Sequence, residues 1–178
     1  PRHNGLAAFG KEVIGRMNRL GMVVDLAHVA PKVMHDVLDR VARNDGLVMA
    51  TFVPDFISQA SRDWHRPAKD QYGKTPDGLD YQKAEAEIVR TAGPRPKATL
   101  AEYCDHVEYL AKRIGHDHVG IGSDFFGGLN PEGLEDASTF PRVIAELIRR
   151  GWSDENLAKL AGGNMLRVMR SVASVAAR

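Results

Sequence analysis

Three short apolar runs constrain this chain more than any other feature. They are Met22-Val23-Val24-Asp25-Leu26-Ala27, Leu47-Val48-Met49-Ala50-Thr51-Phe52-Val53 and Val119-Gly120-Ile121-Gly122-Ser123-Asp124. Each is too short for a typical helix and rich in β-branched residues, so each reads as a buried strand. Between and after them the apolar residues recur at helical spacing. Phe9, Val13, Met17 and Leu20 form one such stripe, closed by Gly21. Val33, Val37 and Val41, with Met34 and Leu38, form a second, which Pro31 can open. Tyr103, Val107, Leu110 and Ile114 form a third, introduced by the capping-box pair Thr99 and Glu102. Further helices are expected over 81–91, 140–149, 154–160 and 165–175, with Ser153 and Asn164 as N-caps for the last two. The stretch 58–98 carries a weaker pattern, and Trp64-His65-Arg66-Pro67 reads as loop. Continuously apolar strands alternating with helices predict an α/β fold with a parallel sheet.

Two of the three predicted strands end in a group able to do chemistry. His28 follows the first and Asp124 closes the third. The C-terminal ends of parallel strands are where sites form, both in β/α barrels and in open sheets. An imidazole at a strand end is a suitable metal ligand, and equally a buried ring with one hydrogen bond. Asp124 is bracketed by Gly120, Gly122, Gly127 and Gly128, which allow close backbone approach and a sharp turn. Its carboxylate could bind a metal, hold an amine or move a proton; it could also simply cap a turn. His106, His116 and His118 read as structural or surface residues, His65 as a solvated loop residue on the functional face that could also reach a substrate, and Glu132, Glu135 and Asp136 as a solvated acidic loop.

Composition narrows the field. The 178 residues include 24 Lys and Arg against 23 Asp and Glu, so charge gives no reason to expect nucleic acid. Cys104 is the single cysteine, which excludes an internal disulfide and a cysteine-cluster metal site. That usage fits a cytoplasmic protein and leaves a periplasmic or secreted one open. No apolar run is long enough to span a membrane, and no secretory leader is visible at the start, which lacks Met. A nucleophile elbow, a phosphate-binding loop and a His-Glu-x-x-His helix are all missing.

The motifs run in the order of a known family. Gly21-Met22-Val23-Val24-Asp25-Leu26-Ala27-His28-Val29, the segment 49–58, Asp117-His118-Val119-Gly120-Ile121-Gly122-Ser123-Asp124-Phe125, Pro131-Glu132-Gly133-Leu134-Glu135-Asp136 and Gly162-Gly163-Asn164-Met165-Leu166-Arg167-Val168 together resemble the membrane (renal) dipeptidases. The resemblance implies a partial (β/α)8 TIM-like barrel of the metal-dependent hydrolase type, with residues 1–178 as the C-terminal portion of one barrel domain. It implies zinc-dependent hydrolysis of dipeptides, with two zinc ions per complete site. His28 would be a metal ligand, and Asp124 the catalytic carboxylate that passes a proton to the leaving amine. A homodimer is a further implication. The family's His-x-Asp motif, bridging Glu and substrate-binding His precede the matched region. Its Ser-His-Ser and Arg-Asn segments should fall between His28 and Leu47 and are absent; Phe126 stands where Asp is usual. The chain is therefore expected to hold an incomplete site. Two other readings stand beside it: a non-catalytic remnant or binding module of the same fold, which the departures motivate, and another metal-dependent barrel amidohydrolase acting on lactones or cyclic amides, against which Gly122-Ser123-Asp124-Phe125 argues.

Overall fold

The computed structural model describes residues 7–25, 41–70, 79–126 and 129–176. They form a mixed helix and strand structure. In chain order the elements are α1 (Ala8–Arg19), β1 (Val48–Thr51), α2 (Pro54–Ile57), α3 (Gln59–Lys69), α4 (Leu79–Ala92), α5 (Leu100–Ile114), β2 (Val119–Gly122), α6 (Phe140–Arg149), α7 (Asp154–Ala158) and α8 (Asn164–Ala176). Short 3-10 turns at His116–His118 and Ala137–Thr139 lead into β2 and α6, and the π turn Lys159–Gly163 joins α7 to α8.

β1 and β2 hydrogen-bond to each other. Met49 lies against Gly120, and the Phe52 amide donates to the Ser123 carbonyl at 3.3 Å. The register thus advances the same way along both strands, and the pair is parallel, as the apolar runs predicted. A Cβ built on Gly120 would meet the Met49 sulfur at 2.7 Å, so any larger residue there would have to push the exposed Met49 side chain aside. The expected burial of the strands is incomplete. Ala50 is buried, but Met49 is exposed. The expected strand over 22–27 is not formed in its described part: Met22 to Asp25 are irregular, with Met22 and Val23 exposed. A strand exists only with a ladder partner for its amides and carbonyls, and the described residues offer none here. Leu26, Ala27 and His28, and the helix expected after Pro31, lie outside the described residues.

The chain divides into two compact units, and the division crosses both strands and α5. The first unit comprises the described residues of 1–49, 109–121 and 153–178. Its buried side chains include Val41, Leu110, Ile114, Val119, Leu157 and Leu160. Polar side chains fix the beginnings of the strands. The Asn164 amide donates to the carbonyls of His116 (2.7 Å) and Val119 (2.9 Å). Arg167 donates to the carbonyls of Asp45 (2.8 Å) and Asp117 (2.8 Å), and His118 Nδ1 meets the Gly46 carbonyl at 2.9 Å. Asn164 is therefore not the free-standing N-cap expected: it is already helical behind the π turn, and its side chain serves the strand. Ser153 does cap α7, accepting from the Asn156 amide at 3.3 Å. α1 forms where its stripe predicted, but buries none of its residues. It ends at Gly21, whose φ of 64° brings the backbone so close to α8 that a Cβ would lie 2.6 Å from the Ala176 nitrogen.

The second unit comprises the described residues of 50–108 and 122–152. Its core is aromatic and aliphatic: Phe52, Tyr103, Val107, Leu134, Val143 and Leu147 are essentially inaccessible. The capping box forms as read, with Glu102 Oε2 accepting from the Thr99 amide at 2.8 Å and Thr99 Oγ1 accepting from the Glu102 amide at 3.2 Å. Arg150 gathers Glu146, Asp105 and Glu108 at 2.7, 2.6 and 2.9 Å. Beside them, burial pushes the Cys104 thiol up to about 12.

Candidate active site

The C-terminal end of β2 carries the candidate catalytic group. After Gly122 the chain leaves the sheet, and Asp124 turns with a φ of 56°. A non-glycine residue in this left-handed region is uncommon, and Asp tolerates it better than most. The conformation directs the exposed Asp124 carboxylate to solvent, where among the described residues it has no hydrogen-bond or ion-pair partner. What holds the turn is the next residue. The Phe125 ring packs against Phe52 at 5.5 Å and Phe140 at 5.6 Å between centroids, and Phe52 makes an edge contact with Tyr103 at 4.7 Å. The Tyr103 hydroxyl donates to the Ala50 carbonyl in β1 at 3.2 Å. One aromatic cluster thus anchors the ends of both strands. Phe126, by contrast, is fully exposed. Ser123, Asp124, Phe125 and Phe126 line a shallow, open depression of about 520 Å³.

The other sequence candidates fare differently. His28 lies outside the described residues. Glu132, Glu135 and Asp136 are exposed, as expected; Glu135 accepts from the Gly133 amide at 2.7 Å and Asp136 from the Ser138 amide at 2.8 Å. His118 bonds the Gly46 carbonyl, and His106 is made less basic by burial and then by the charge of Arg62. His65 requires a correction. It is buried on the helix α3, not solvated in a loop. Its Nδ1 lies 2.6 Å from Asp55 Oδ2 and its Nε2 lies 2.5 Å from the Tyr81 hydroxyl. Asp55 also receives Lys69 at 2.8 Å, the Ser61 hydroxyl at 3.2 Å and the Arg95 guanidinium. Burial by itself raises the Asp55 carboxyl, but hydrogen bonds from Lys69 and His65 and the charge of Arg95 outweigh it, holding it down at about 2. The signal for this cluster was present: Ser58, Ser61, His65 and Ala68 recur at helical spacing, but the stripe is polar.

Comparison with known proteins decides the family. The sequence profile of the membrane dipeptidases (peptidase family M19) matches residues 1–42 and 35–178. The chain belongs to the membrane dipeptidase family. Dipeptidase tcpJ of Claviceps purpurea (strain 20.1) is 38% identical over 99% of this chain, and that match spans 41% of the relative. Dipeptidase 3 of Rattus norvegicus is 33% identical over 97% of this chain and 34% of its own length. The chain thus spans well under half the length of these curated relatives. Among solved structures, the probable dipeptidase PvdM from Pseudomonas aeruginosa superposes with a TM-score of 0.76 at 25% identity, covering 96% of this chain and 55% of that one. For a membrane dipeptidase, a metal is implied. The described residues do not fit one: no group of three or more His, Cys, Asp or Glu among them could hold an ion. Among the described residues Asp124 belongs to no such group, and both ring nitrogens of His65 are committed.

Proposed function

We propose that this chain is the C-terminal portion of a (β/α)8 dipeptidase barrel that hydrolyses dipeptides with zinc, and that it holds only part of the site. The observation that carries the reading is Asp124: an exposed carboxylate in a left-handed turn at the C-terminal end of a parallel strand, inside the family's most diagnostic motif. There it serves as the group that gives a proton to the departing amine as the peptide C–N bond breaks. His28 is the one zinc ligand this chain contributes to a two-ion site. The remaining ligands belong to segments outside the 178 residues. The break of the family match near residues 35–42, between His28 and β1, supports a missing internal segment. A cytoplasmic location and a homodimer complete the reading, on the grounds of a single cysteine and of family resemblance respectively. No helix among the described residues is long and apolar enough to cross a membrane.

The test is elemental analysis with a dipeptide panel, on this chain and on a fusion that restores the missing segments from the Claviceps relative. The expected result is no zinc and no turnover for the chain alone. In the fusion, two zinc ions and turnover return, and Asp124→Asn lowers kcat by on the order of a hundredfold or more. Zinc and turnover in the chain alone would overturn the incompleteness. A fusion that binds no zinc would establish a non-catalytic remnant instead.

A further inference from the structure

The cluster after β1 holds a chain of groups that the dipeptidase reading does not use. We propose that Asp55, His65 and Tyr81 form a proton relay that makes the Tyr81 phenol a nucleophile toward acyl and sulfonyl electrophiles. Asp55 is ionised and cannot turn away, because Arg95, Lys69 and Ser61 hold its two oxygens. Arg95 Nε is itself anchored by donating to Ser61 Oγ at 2.9 Å. The carboxylate therefore accepts a hydrogen bond from His65 Nδ1 at 2.6 Å, which places a ring proton on Nδ1 and leaves Nε2 to face Tyr81. Nε2 is then the acceptor, and the Tyr81 hydroxyl at 2.5 Å donates to it. Carboxylate, imidazole and hydroxyl in line are the elements of an activated nucleophile. The Trp64 ring at 6.3 Å flanks the imidazole, and the Trp64 indole donates to the Gly93 carbonyl at 3.0 Å, holding α3 against the end of α4.

The step balances without a co-reactant. The phenolic oxygen forms a bond to the electrophilic carbonyl carbon while its proton passes to His65 Nε2. The bond from that carbon to the leaving group breaks, and the leaving group takes the proton back from Nε2. Asp55 stays ionised and stabilises the imidazolium in between. The product is O-acyl Tyr81 and a protonated leaving group.

Two other tyrosines supply the control. Tyr81 is half-buried on α4, whereas Tyr109 on α5 is 58% exposed and Tyr103 is inaccessible. Exposure alone ranks Tyr109 ahead of Tyr81; the relay reverses that order. The experiment treats the intact chain at neutral pH with N-acetylimidazole and, separately, an aryl sulfonyl fluoride, and follows each tyrosine by peptide mass spectrometry. Tyr81 is expected to react on the order of tenfold faster than Tyr109, a modest share of what a positioned base supplies. His65→Gln should bring Tyr81 below Tyr109, while continued protection of the inaccessible Tyr103 reports that the fold is kept. Tyr81 reacting no faster than Tyr109 in the unaltered chain overturns the proposal whether or not the variant folds. An unchanged Tyr81 rate in His65→Gln overturns it as well.

Discussion

Each of the two parallel strands is followed by an aspartate, and the two carboxylates have opposite circumstances. Asp55, four residues past β1, has a side chain only 4% exposed and is bonded to Lys69, His65, Arg95 and Ser61. Asp124, two residues past β2, is exposed and left-handed, with no side-chain partner among the described residues. A carboxylate with its lone pairs saturated acts only through the groups that already hold it, because any new partner must displace an existing one. A carboxylate held by its backbone alone keeps its lone pairs for a ligand or a proton. The same residue type at equivalent ends of neighbouring strands thus does two jobs, and the neighbours decide which.

The largest expected effect comes from removing the saturated charge. Asp55→Asn leaves the buried side of Arg95 without its anion, and should cost about 3 kcal/mol or more. Asp124→Asn should change stability by less than about 0.5 kcal/mol, as for surface substitutions generally. Urea denaturation of both variants measures the contrast. Equal losses would mean that Asp124 is also structural, and the division of labour would fail.

The aromatic cluster offers a second contrast, between adjacent residues. Phe125 packs on Phe52 and Phe140, and its truncation to Ala should cost about 3 kcal/mol. Phe126 is fully exposed, and Phe126→Ala should fall within about 0.5 kcal/mol. Thermal denaturation of the pair reads this. A costly Phe126→Ala would show that the exposed ring covers something in the folded protein.

Acid titration sharpens the picture of Asp55. Its folded value of about 2 lies below its ordinary 3.8, so it contributes stability that is fully present above about pH 4 and is lost as pH falls through 2. The contribution is on the order of 2 kcal/mol. Glu146, held at about 2 by Arg149 and Arg150, titrates in the same window. Asp55→Asn should therefore flatten the acid limb of the stability curve in part. An unaltered limb would assign the whole slope to Glu146 and the other carboxylates.

What the sequence disclosed follows from how local each feature is. The Thr99–Glu102 box, the Ser153 cap, α1 with its Gly21 stop and the run into Asp124 depend on neighbours within a few residues, and all four stand in the structure. The Asp55 cluster draws on Asp55, Ser61, His65, Lys69, Tyr81 and Arg95, spread over α2, α3, α4 and the loop before α5. No short window contains it. α3 was hidden for a related reason: its buried face is Ser61, His65 and Ala68, so hydrophobic periodicity is silent, and Pro67 suggested a loop. Pro67 stands inside α3, where its missing N–H removes one helical hydrogen bond, and the helix ends two residues later. The strand over 22–27 was misread in its described part because apolarity marks residues that suit a sheet and does not supply the neighbouring strand.

The smallest expected effect tests the backbone of Asp124 itself. A φ of 56° costs an ordinary L-residue about 1 kcal/mol, and glycine adopts it freely. Glycine also loses more chain entropy on folding, which offsets part of that gain. Asp124→Gly should therefore be neutral or stabilising by up to about 1 kcal/mol, whereas Asp124→Ala, which keeps the strain and gains nothing, should be neutral or slightly destabilising. The comparison is made by urea denaturation on the 178-residue chain, where no catalytic readout is needed. If Gly is the more stable replacement, the left-handed turn is strain kept for the carboxylate, as at functional sites elsewhere. If Ala is the more stable, the turn relaxes without cost, and the position of the carboxylate is not fixed by its backbone. Asp124 would then need a partner from outside this chain to hold it in place, as Asp55 already has within it.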